Sequence, residues 1–274
     1  MVKRTISGII GAVFVIFALM CNQSFPILLN ILIAGVTLFC MYEIFSAMNI
    51  LDKYILIVPT FLLDVIVSFF VTPIIMLSCF YLYTLLLFTF MILLKKKVIF
   101  KEIAVVYTLT IVITFSLNLF LVLRDKSGVY GTFYTVFILV IAWLADTGAY
   151  FFGSLFGKHK LCPEISPKKT VEGAVFGVIS SIASSLLVCF IFNTYLFEKH
   201  VEINLLYVAL VAFFGAIISI IGDLSFSLVK RGCNVKDFGN VIPGHGGMLD
   251  RMDSVILVVP YIFIINSFFP IIPM

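Results

Sequence analysis

The feature that most limits what this chain can fold into is the length of its apolar runs. Charges and turn residues cut the sequence into nine of them, at about 5–21, 25–48, 54–71, 73–94, 103–123, 132–153, 170–193, 204–228 and 254–270. A helix crosses about 30 Å of hydrocarbon with roughly 20 apolar residues, and most of these runs approach that length. The first, third and ninth are shorter. None shows the alternation over about ten residues that marks an outer-membrane barrel strand. The helix is the other structure that satisfies its own backbone in lipid. A hydrophobic content of 62%, with 30 Phe and a mean hydropathy of +1.22, also lies well above that of a soluble domain. The expectation is an all-α integral membrane protein, a polytopic bundle of about nine transmembrane helices.

Charge placement orients this threading. With a cytoplasmic N-terminus, the inside segments hold Lys3, Arg4, Lys53, Lys95, Lys96, Lys97, Lys101, Lys158, Lys160, Lys168, Lys169, Lys230, Arg231, Lys236 and Arg251. The outside segments hold Arg124, Lys126 and Lys199, which completes the 18 cations. Fifteen against three is the bias of the positive-inside rule, and it sends the C-terminus outside. Lys3-Arg4 and the run after them read as a first spanning helix, because no small-residue cleavage site follows. The six cysteines form no CxxC pair and read as small packing residues, with neither a disulfide framework nor a zinc site. Glu43 falls near the inner end of the second run and Asp64 in the middle of the third. Acids at that depth usually face a bundle interior or a water-filled cavity. Glu43 is close enough to the cytoplasmic face to join a site there, whereas Asp64 has no partner that the sequence identifies.

From Ala142 onward the apolar background is broken by three polar blocks. The first is Asp146-Thr147-Gly148-Ala149-Tyr150, where the small residues beside Asp146 permit close helix packing. The second runs from Gly157 through Ser166-Pro167-Lys168-Lys169-Thr170-Val171-Glu172-Gly173. Pro167 suits a helix entry and Ser166 a cap. Lys168, Lys169 and Thr170 beside first-turn N–H groups would then make a phosphate-binding end. The bland reading of the same lysines is a topology anchor.

The third block opens at Gly222-Asp223-Leu224 and runs through Ser227 to Asp253, SLVKRGCNVKDFGNVIPGHGGMLDRMD. Its glycines let backbone N–H groups converge on an anion. Asp250 and Asp253, three residues apart, share a face if a helix begins there, although Asp253 alone would also serve as a simple cap. Asp146, Asp223, Asp250 and Asp253 are hard oxygen ligands that would repel unless neutralised. A set without thiolate points to Mg2+. There is no Walker loop, no GxSxG elbow and no Ser/His/Asp signal, so P-loop hydrolysis and covalent acyl chemistry are poorly supported.

The string S-x-x-K-R-x4-K-D-x5-P-x-H-G-G-x-x-D-R-x-D resembles the signature of the phosphatidate cytidylyltransferase (CDP-diacylglycerol synthase) family. Its fixed positions are Ser227, Lys230, Arg231, Lys236, Asp237, Pro243, His245, Gly246, Gly247, Asp250, Arg251 and Asp253. The D-x-G-A-Y and S-P-K-K-T-x-E-G strings resemble the same family, so the likeness spans roughly 142–253. It implies residues 1–130 as N-terminal transmembrane helices and 131–274 as a C-terminal transmembrane catalytic region.

It further implies transfer of a cytidylyl group from CTP to phosphatidate, giving CDP-diacylglycerol and pyrophosphate. The enzyme would be a homodimer of the plasma membrane with a cytoplasmic active site, using Mg2+ with K+ as a candidate second ion. No nucleic-acid partner is expected. Asp223 and Asp250, with Asp146, would hold metal, and Asp253 would orient them. Lys230, Arg231, Arg251 and His245 would serve the reacting phosphates. Ser166, Lys168, Lys169, Thr170, Ser227, Lys236, Gly246 and Gly247 would bind substrate. The rival readings are an ion-coupled transporter using Asp146 and Asp223, a lipid kinase, and a cytidylyltransferase for another lipid phosphate. Confinement of the polar blocks to the second half of the chain argues against the transporter.

Overall fold

The computed structural model describes residues 22, 24–93, 99–197, 201–241 and 246–272. The expected first helix at 5–21, the lysine triplet 95–97 and His245 lie outside the described residues. What is described is helical apart from one short hairpin. The elements are α1 (Pro26–Ala47), α2 (Tyr54–Phe69), α3 (Pro73–Leu93), α4 (Phe100–Thr110), α5 (Ser116–Ser127), α6 (Gly131–Phe156), β1 (Lys160–Cys162), β2 (Ser166–Thr170), α7 (Val171–Ile191), α8 (Leu205–Gly232) and α9 (Leu249–Phe268).

Among the described residues, six helical runs are long and apolar enough to cross a membrane, and Tyr54–Phe69 is a shorter apolar helix beside them. One of the six, Phe100–Phe156, has 57 residues and covers two of the expected segments. As one straight rod it would measure about 85 Å, far more than a bilayer needs. The joint is Gly128, whose φ of 53° is left-handed and cannot continue a right-handed helix.

The chain divides into two compact units, Met1–Asp125 with Val235–Met252 and Lys126–Asn234 with Asp253–Met274. In the first unit α1 packs on α2 and α2 on α3. Pro26 opens α1 at a position where a missing N–H has no cost. Along α3 only Met76, Tyr83 and Leu87 are buried. Ile74 and Leu77 stand 79% and 73% exposed, an outward apolar face that suits lipid rather than water.

Inside this unit a chain of polar side chains runs through the apolar core. Arg124 Nη1 donates to Asn30 Oδ1 at 2.7 Å, and Asn30 Nδ2 donates to the Ser68 carbonyl at 2.7 Å. Ser68 Oγ then donates to Asn118 Oδ1 at 2.7 Å, and Asn118 Nδ2 reaches Asp64 Oδ1 at 3.4 Å. Asp64 therefore does have a partner, contributed by a helix 54 residues further along the chain.

The second unit is built on small residues. α7 buries Gly173, Gly177, Ser181, Ser185 and Cys189, a stripe repeating every four residues. It lies against α6 so closely that a Cβ on Gly173 would come 2.6 Å from the Ala149 carbonyl oxygen. One on Gly177 would come 2.6 Å from that of Ala145. In lipid, where apolar transfer gives helices little reason to associate, such close backbone approach is a main source of attraction.

The expected Ser166 cap and Pro167 helix entry are corrected here. Ser166–Thr170 is a strand, paired antiparallel with Lys160–Cys162. The helix starts one strand later, because Thr170 can cap it: its side chain accepts from the Gly173 N–H at 3.1 Å. Replacing Gly177 by Ala should lower the apparent melting temperature in detergent, with a destabilisation of about 1–3 kcal/mol typical of overpacking. Gly232→Ala is the control, because a Cβ there meets no described atom within 4 Å. Equal melting temperatures for both variants would contradict the close-contact account.

Candidate active site

Three helices and the hairpin of the second unit bring ionisable groups together. On α8, Asp223, Ser227 and Lys230 follow at intervals of four and three residues and so share one face. Ser227 Oγ donates to Asp223 Oδ1 at 3.2 Å. Asp223 Oδ2 is ion-paired with Lys169 Nζ, which β2 carries in from the hairpin. Asp253 on α9 is 5% exposed, and its Oδ2 lies 3.6 Å from the Nζ of Lys230, itself 9% exposed. The charges of Asp223 and, from α6, of Asp146 also act on Asp253.

Glycine makes this assembly possible. Gly222 faces the backbone of α9, where a Cβ would sit 2.8 Å from the Asp253 carbonyl oxygen. Any side chain there would push α9 away from α8 and separate Asp253 from Asp223 and Lys230.

The hairpin that delivers Lys169 is held at both ends. Glu172, in the first turn of α7, accepts from the Lys158 N–H at 3.0 Å and meets His159 Nδ1 at 2.6 Å. At the tip, Arg231 Nε donates to the Ile165 carbonyl at 3.3 Å. Lys168 is exposed, Ser166 is half-buried, and buried Thr170 is used as the cap of α7. Neither His159 nor Glu172 was singled out as a functional residue from sequence, although Glu172 is the acid of the S-P-K-K-T-x-E-G string.

The remaining signature residues belong to the first unit. Asp250, in the first turn of α9, accepts through Oδ2 from the Phe238 N–H at 3.0 Å and the Gly247 N–H at 3.1 Å. The Gly247 N–H, expected to face phosphate, is thus turned toward Asp250. Gly246 has a φ of 86°, a conformation that requires glycine. Lys236 and Arg251 are exposed.

One residue with a contact here was left unassigned by the sequence. Glu43, 2% exposed on α1, accepts from the Met248 N–H through Oε1 and the Leu249 N–H through Oε2, each at 2.9 Å. A sequence separation above 200 hides such a pairing; the one visible signal was an acid near the end of an apolar run.

Asp146, Asp223 and Asp253 are the acids of this cluster in the second unit. Among the described residues, no three His, Cys, Asp or Glu side chains already form a cage for an ion.

Fold and site together define a polytopic helical membrane protein with a cluster of carboxylates paired to lysines. The chain belongs to the cytidylyltransferase family, whose profile matches residues 2–269. It is 36% identical over 185 residues to the phosphatidate cytidylyltransferase of Bacillus subtilis (strain 168), covering 68% of this chain and 66% of that one. It is 42% identical over 135 residues to the phosphatidate cytidylyltransferase of Staphylococcus haemolyticus (strain JCSC1435), covering 49% of each. A relative of the same name in Haemophilus influenzae is 41% identical over 134 residues, covering 48% of this chain and 45% of that one. The matches thus span from about half to just under two-thirds of these curated relatives.

Removing one member of the buried pair should be costly. Lys230→Met leaves Asp253 without its cation and should destabilise the protein by about 3–5 kcal/mol. The double variant Lys230→Met/Asp253→Leu should recover much of that loss in a thermal unfolding series. No recovery in the double variant would mean that the two charges do not compensate one another.

Proposed function

We propose that this protein transfers the cytidylyl group of CTP to phosphatidate, releasing pyrophosphate and forming CDP-diacylglycerol. The observation that carries the reading is the compensated cluster of Asp223, Asp253, Lys169 and Lys230, supported by family membership. A phosphate monoester is already an anion near neutral pH and needs little help from a general base. The obstacle is the approach of two anions and the charge that builds on the departing pyrophosphate, which fixed cations answer.

In the reaction, a phosphatidate oxygen forms a bond to the α-phosphorus of CTP while the bond from that phosphorus to the bridging oxygen of the leaving pyrophosphate breaks. Lys169 and Lys230 hold phosphate oxygens when substrate takes over part of their pairing with the carboxylates. Arg231, Arg251, Lys168 and Lys236 add positive charge for the triphosphate and the lipid headgroup, and His245 is a further contact for the phosphates. Ser227 orients Asp223 through its hydrogen bond. Asp223, Asp146 and Asp250 would hold Mg2+, which when bound supplies charge neutralisation to the triphosphate and its leaving group. K+ is the candidate second ion.

The enzyme works in the plasma membrane as a homodimer. Its N-terminus and reacting groups lie on the cytoplasmic side, an orientation that the distribution of Lys and Arg supports. Purified protein in detergent should release pyrophosphate only when phosphatidate, CTP and Mg2+ are all present, and EDTA should stop it. Asp250→Asn should abolish turnover in protein that remains folded. Release of CDP instead of pyrophosphate would make the protein a lipid kinase, and substantial activity in Asp250→Asn would remove that residue from the reaction.

A further inference from the structure

The grip of Glu43 on the glycine-rich loop is more specific than a helix cap. Both of its carboxylate oxygens are engaged, one by the Met248 N–H and the other by the Leu249 N–H. Two glycines close around the same carboxylate. A Cβ on Gly247 would come 2.8 Å from its carboxyl carbon, and one on Gly239 2.7 Å.

These glycines also mark the two donors to Asp250. Gly247 itself donates one of its hydrogen bonds, and Phe238, the neighbour of Gly239, donates the other. Glu43 therefore lies against both segments that donate to Asp250, bonded to the backbone that follows Gly247 and packed against Gly239. A glutamine would not substitute, because it offers one acceptor oxygen and turns an N–H2 toward the second backbone donor.

We propose that Glu43 is a positioning residue for cytidylyl transfer: its buried carboxylate holds the backbone at Gly239 and 247–249 so that Asp250 is presented to metal and phosphate in one orientation. The inference rests on the function proposed above. It also makes Gly239 and Gly247 spacers for a carboxylate, in addition to any direct part they take in anion binding.

The test uses the full chain in detergent as wild type, Glu43→Gln, Glu43→Ala, Gly247→Ala and Glu43→Ala/Gly247→Ala. Two readouts are taken, hydrogen exchange over 246–252 and the Mg2+ dependence of kcat and KM. Glu43→Gln should expose the Met248 and Leu249 amides to exchange and raise the Mg2+ needed for half-maximal rate. It should also lower kcat by roughly 10- to 100-fold, the scale of a misplaced reacting group, with the KM for phosphatidate unchanged.

Gly247→Ala should reproduce this pattern. In the Glu43→Ala background it should add little, because removing the carboxylate makes room for the methyl group. Unchanged kcat and Mg2+ dependence in Glu43→Gln would overturn the proposal. So would a loss of activity that follows only a general fall in melting temperature with the Mg2+ dependence intact. If wild-type protein released no pyrophosphate, the proposed function would fail separately. The exchange data would then decide the latch, and wild-type protection of Met248 and Leu249 in Glu43→Gln would overturn it.

Discussion

Lys230 and Asp253 are each almost withdrawn from water and lie 3.6 Å apart, so each offsets part of the cost of burying the other. The same applies, less severely, to Asp223 and Lys169, which retain some access to solvent. Such pairs contribute little net stability, since the loss of hydration roughly cancels the attraction. What they retain is a set of charges already partly withdrawn from water. In the proposed reaction, an incoming phosphate would exchange places with a carboxylate at a lysine without first removing a full hydration shell.

The geometry of those pairs depends on residues that carry no charge. Gly222 sets the approach of α8 to α9, and Gly173 and Gly177 set that of α7 to α6. Asp146, Asp223 and Asp253 are carried on those helices, and Lys169 on the strand leading into one of them. In a protein that gains little from apolar transfer between helices, the glycines act as distance settings for the acids. The hairpin follows the same logic: Thr170 starts the helix behind it, while Glu172 and Arg231 tie down its base and tip.

The apolar run lengths alone conveyed the helical membrane class, because the need to satisfy backbone groups in lipid leaves so few alternatives. The family was equally legible, since the residues of its signature lie close together in sequence. Local choices between competing caps were less so. Ser166 and Thr170 are both good caps, and strand pairing with Lys160–Cys162 decided between them. Least legible were the partners of the isolated acids. Asp64 meets Asn118 and Glu43 meets Met248 and Leu249 across long sequence separations, with no periodicity to announce either contact.

The central claim is that this cluster moves a nucleotide, rather than a terminal phosphate, onto a lipid. The direct test is to supply CTP labelled with 32P at either the α or the γ position, together with phosphatidate and Mg2+, and to count the label in the lipid extract. The account predicts α-label in the lipid and γ-label in water-soluble pyrophosphate. Label from the γ position appearing in the lipid would contradict it.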